Sequence, residues 1–140
     1  MTEFAMMSFP AEPTVVAPDG ADVRVLLGVP AGTMAHFELA AGKTARAIVH
    51  RTVDEVWFIV AGRGEMWRRQ GDREETVPLD PGVCLTIPVG TQFQFRASAS
   101  VRVAAVAMTM PPWPGAQEAV FVRGPWEASD GEAVAPSDAA

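Results

Sequence analysis

Residues 42–62 read GKTARAIVHRTVDEVWFIVAG. Two strand-length apolar runs stand on either side of a short polar patch that holds His50 and Glu55. Side chains alternate across a strand, so positions 46, 48 and 50 share one face, and Glu55 and Trp57 share one face of the next strand. A turn over residues 51–54 brings Glu55 back beside His50. A helix over residues 55–60 is the competing local reading, but Gly62 and Gly64 cut it short.

Outward from this stretch the same rhythm continues. Candidate strands fall at 23–28, 34–39, 44–50, 55–60, 65–70, 74–79, 84–87, 92–97, 101–108 and 119–122. The 12 Gly and 12 Pro lie between apolar runs rather than inside them. Many short strands at regular spacing indicate an all-β sandwich or barrel. At 140 residues with no internal repeat, this is one domain. It divides into an N-terminal arm (1–18), a barrel with a C-terminal covering segment (19–126) and an Ala-, Ser- and Asp-rich tail (127–140), expected to be loose.

Composition narrows the chemistry. Lys+Arg is 11 against Asp+Glu 17, a net charge of −6, which disfavours nucleic acid or an anionic membrane as partner. A single cysteine, Cys84, excludes an intrachain disulfide and a cysteine-rich zinc site; it reads as a small buried hydrophobe. The chain has two histidines, His36 and His50, one lysine, Lys43, and no Tyr. His36 reads as a surface or edge residue. Residues 1–10 lack the basic start of a secretory signal, and no apolar run approaches the ~18 residues that span a bilayer, so a cytoplasmic location is expected.

A second block, GVCLTIPVGTQF over residues 82–93, supplies Gly82, Pro88 and Gly90. With Gly42, His50, Glu55 and Gly62 in the first block, these residues resemble the two motifs of the cupin superfamily (RmlC-like), over roughly residues 20–112. The resemblance implies a cupin double-stranded β-helix, a jelly-roll barrel. In that family inward histidines and a glutamate hold a divalent metal such as manganese, iron, zinc or nickel. Here Ile48 and Phe93 stand at two of the four ligand positions, leaving His50 and Glu55. Gln92, Cys84 and His36 are the only further donors to weigh, and none sits at a family ligand position. One divalent metal at His50 and Glu55 is therefore one alternative, and a metal-free site the other.

The pocket expected from these residues is aromatic. Trp57, Phe93 and Phe95 face inward, with His50, Glu55 and Arg46 as the few polar groups and Gln92 as a further substrate-binding candidate, the usual make-up of a small-molecule site. The alternative is a barrel plugged solid by those rings. As an enzyme the chain is expected to be a lyase or isomerase. His50 acts as acid or base, Glu55 orients it, Arg46 holds a carboxylate or enolate oxygen, and the rings pack the substrate. The other reading is a non-catalytic metabolite-binding module. A homodimer with a small-molecule ligand is the expected assembly. The segment 109–115, with Trp113 among prolines, presents that ring to a partner or folds back, with Trp126, over one end of the barrel.

Overall fold

Alternation of apolar and polar residues, interrupted by turn residues, yields strands throughout the described part of the chain, residues 1–129 of this computed structural model. In chain order these are β1 (Val15–Val16), β2 (Asp22–Val29), β3 (Gly32–Leu39), β4 (Ile48–His50), β5 (Asp54–Gly62), β6 (Gly64–Gln70), β7 (Arg73–Leu79), β8 (Cys84–Ile87), β9 (Gln92–Ala97), β10 (Val103–Met110) and β11 (Ala119–Phe121). They form two antiparallel sheets, ordered β1-β2-β3-β10-β5-β8 and β11-β4-β9-β6-β7. Among the described residues no helix is long and apolar enough to cross a membrane.

The core lies between the sheets. Trp57 and Ile59 of β5, Met66 of β6, Leu85 and Ile87 of β8 and Phe93 and Phe95 of β9 are all buried, each on the inward phase of its strand. Burying a large apolar side chain contributes roughly 1.5–3 kcal/mol, so this layer dominates the cohesion of the barrel. The Trp57 ring is held on two sides, stacked on Phe37 at 5.1 Å and met edge-on by Phe95 at 5.0 Å.

Gly62 closes the β5–β6 corner where a side chain has no room. Its φ is +79°, and a Cβ there would lie 1.7 Å from the Arg102 carbonyl oxygen.

Several expectations are corrected. The stretch 44–50 is a strand only from Ile48 on. The register slips by one residue between the Thr44–Arg96 bridge and the Ile48–Phe93 pair, and the Ala45 carbonyl accepts from Gln94 Nε2 at 2.9 Å, so the ladder with β9 is broken between them. Cys84 is exposed, because β8 turns Leu85 and Ile87 inward. His36 is buried on the outer face of β3. There the Phe9 ring stands edge-on at 4.8 Å, and Arg24 lies over Phe9 while donating to Pro10 O. The arm therefore lies on its own barrel from Phe9 onward, and Val15–Val16 pairs with Asp22 and Val23. At the other end, Ser129 is hydrogen-bonded to Thr44 through both N and Oγ. The rest of the expected tail, residues 130–140, lies outside the described residues.

Candidate functional site

His50 ends β4 in one sheet and Glu55 opens β5 in the other. The connection between them crosses from sheet to sheet, so the two side chains meet at an inner corner of the sandwich. Glu118 fixes that connection. Its carboxylate accepts Thr52 N at 2.6 Å, Thr52 Oγ1 at 2.5 Å and Val53 N at 2.9 Å. Burial opposes its charge, but these hydrogen bonds and the nearby His50 hold the Glu118 carboxyl below its ordinary range.

Between the sheets is a cavity of about 520 Å3. Its lining includes Val15, Val16, Asp19, Val23, Val25, Phe37, Ile48, His50, Glu55, Trp57, Phe93, Thr109 and Trp113. The barrel is therefore hollow at this end, and the rings form walls rather than a plug. His50 and Glu55 are nearly inaccessible, at 4% and 2% exposure. Glu55 is pinned at both oxygens: Trp57 Nε1 donates to Oε1 at 3.0 Å, and Thr109 Oγ1 donates to Oε2 at 2.7 Å. His50 Nδ1 lies 4.0 Å from Glu55 Oε1, and it is a buried nitrogen without a hydrogen-bond partner. Burial lowers the His50 pKa, an effect only partly offset by Glu55 and then Glu118, so the imidazole is neutral near pH 7. Phe93 and Trp113 stand edge-on to its ring at 5.2 and 5.3 Å.

Four of the expected site residues, His50, Glu55, Trp57 and Phe93, line this cavity. Phe95 is one layer deeper, behind Trp57. Gln92 does not line it. Phe93 and Phe95 take the inward phase of β9, which leaves positions 92 and 94 on the outer face, where Gln94 binds the backbone of Ala45 and Trp126. Arg46 is also outside the lining, its guanidinium 4.9 Å over the Phe121 ring. Glu55 thus has Trp57 and Thr109 as partners rather than an arginine.

Among the lining residues not singled out from the sequence for this site, three touch or approach the His50–Glu55 corner. Trp113 folds back onto His50. Thr109 faces Glu55 across the β10–β5 ladder. Asp19, in the loop after β1, enters the cavity with its Oδ1 accepting Ala21 N at 3.0 Å. Burial, with Glu55 adding to it, pushes the Asp19 carboxyl up to about 6 despite the bond from Ala21. An Asp-Gly turn is the only sequence signal at that position, and it reads as a turn.

The donor set does not fit a divalent metal. No group of three His, Cys, Asp or Glu side chains converges for an ion among the described residues. Ile48 and Phe93 face the cavity where donors would be needed, and both Glu55 oxygens are already accepting hydrogen bonds.

No family model and no curated protein sequence matches the chain. Solved structures do match. The chain is similar to the Streptomyces nucleoside dehydratase Pac13, with 18% identity over 85% of this chain and 92% of that one and a TM-score of 0.64. It is similar to KdgF from Halomonas sp., with 16% identity over 79% and 97% and a TM-score of 0.64. It is also similar to an uncharacterized protein with a double-stranded β-helix domain from Klebsiella pneumoniae, with 16% identity over 85% and 91% and a TM-score of 0.59. The fold is thus the cupin double-stranded β-helix.

Proposed function

We propose that the protein is a small-molecule lyase or isomerase in which His50 moves the proton. The observation that carries this reading is a neutral, buried imidazole with an unpartnered Nδ1, 4.0 Å from a fixed carboxylate, in a cavity large enough for a metabolite. A structural histidine at that depth is ordinarily hydrogen-bonded, because an unpaired buried polar atom costs about 1–3 kcal/mol.

The arrangement supports one division of labour. His50 takes a proton from the ligand and returns it, either to another ligand atom or to a leaving oxygen. Glu55 stays in place, because Trp57 and Thr109 hold both its oxygens, and its charge stabilises the imidazolium that forms. Trp57, Phe37, Phe93 and Trp113 exclude water and pack the body of the substrate. Arg46 has no part in this scheme.

Since Pac13 is a nucleoside dehydratase, a nucleoside is the first compound to try. Uridine and a panel of neutral hydroxy-aldehydes and hydroxy-ketones are incubated with the protein in D2O and followed by proton NMR. The expected result is exchange of one carbon-bound proton or appearance of an alkene, slowed at least ~100-fold in His50→Gln, the usual scale for losing an acid–base group. Compounds that bind without exchange or product would replace this reading with a metabolite-binding module.

A further inference from the structure

The polar groups of the cavity are two carboxyls and one imidazole, Asp19, Glu55 and His50, joined by the hydroxyls of Thr33 and Thr109. Neither arginine nor lysine is among the lining residues. Glu55 already accepts two hydrogen bonds, whereas the described hydrogen bonds of Asp19 use Oδ1 alone, and His50 Nδ1 has none. His50 Nδ1 is covered, so the hydrogen-bonding capacity left for a ligand is an acceptor at Asp19 and the hydroxyl of Thr33. The remaining lining is aliphatic and aromatic.

We infer that this cavity selects an uncharged or cationic ring compound whose hydroxyl or amino hydrogen is read by Asp19, and that it rejects carboxylates and phosphates. An incoming anion meets two carboxyl groups among mostly apolar walls, with no lining cation to pair with. A hydroxyl or amine does the reverse, supplying a proton to the Asp19 oxygen that lacks one. Asp19 lies in the loop just after β1, so the group that reads charge belongs to the same segment as the apolar mouth formed by Val15 and Val16. At pH 7.5 its carboxyl is mostly ionised, because its pKa is about 6.

The inference rests on the reading that this cavity holds the ligand, and it is tested without turnover. Three indoles of one shape are titrated calorimetrically at pH 7.5: indole-3-ethanol, tryptamine and indole-3-acetate. The alcohol and the amine are expected to bind at least ~30-fold more tightly than the acetate, a gap in keeping with one unpaired charge in a dielectric of about 20. Methyl NMR shifts centred on Ile48, Val23 and Val25 locate the binding. Asp19→Asn is expected to narrow the gap at least ~5-fold by strengthening the acetate, with folding checked by thermal melting. Acetate binding equal to the alcohol in the parent protein overturns the inference while leaving proton transfer at His50 untouched. Shifts centred outside the cavity, or binding by none of the three, overturn it as well. Conversely, the expected order of affinities with no proton exchange on any compound ends the catalytic reading and leaves the ligand class standing.

Discussion

Asp19 and His50 pull the pH dependence of stability in opposite directions. An unfolded Asp19 titrates at 3.8, while the folded one titrates at about 6. Between those values the folded chain keeps a proton that the unfolded chain has lost, so stability falls as pH rises through this window. At 1.36 kcal/mol per pKa unit the loss is on the order of 3 kcal/mol. His50 is lowered from 6.5, so below that pH the unfolded imidazole binds a proton that the folded one resists, and stability falls as pH drops. Asp19→Asn keeps an oxygen for Ala21 N–H and removes the titration. It is expected to be more stable than the parent by about 1–3 kcal/mol at pH 7.5 and no more stable at pH 4, measured by urea denaturation. A variant that is less stable at pH 7.5 contradicts the burial argument for this carboxyl. His50 and Glu55 were legible in the sequence because a motif register and a strand period both pointed to them. Asp19 was not, since its depth is set by which sheet its loop crosses.

At the scale of elements, the site depends on the turn between β4 and β5 more than on either strand. β4 has three residues, and its registered pairs are two with β9 and three with β11. Glu118, which lies 66 positions from Thr52 in sequence, accepts from the exposed Thr52 amide and from the buried Val53 amide of that turn. Glu118→Ala is expected to cost about 1–3 kcal/mol, seen as a lower urea midpoint, because the buried Val53 N–H loses a charged acceptor. Glu118→Gln, which retains one acceptor oxygen, is expected to lose less. Equal midpoints for Glu118→Ala and the parent would show that the turn holds itself. Strand positions were mostly legible from alternation and from glycine and proline. The break within 44–50 was not, because it comes from a one-residue slip against β9 and from the Gln94 side chain on the Ala45 carbonyl, contacts no periodicity shows.

For the whole molecule, the outer face of the larger sheet exposes Val56, Phe58 and Val60, and the arm exposes Phe4, Met6 and Met7. A two-fold pair of protomers covers both surfaces at once when the arm of one lies on the sheet face of its partner. The homodimer expected from the sequence is therefore checked by light scattering, which should give twice the mass of the chain. Phe58→Asp should give a single chain with an unchanged fold by circular dichroism. A monomer in the parent protein at tens of micromolar removes the expectation.

Taken alone, the sequence determined most of the strands, their inward phases and the nearness of His50 to Glu55. These are local properties, written in the two-residue period of a strand and in the residues that end it. Only the tertiary structure decided that the barrel is hollow, that Arg46 and Gln92 lie outside the cavity, and that Asp19, Thr109 and Trp113 lie within it. Those outcomes depend on which distant segments share a wall. That is settled by how two twisted sheets face each other, and no window along the chain contains it.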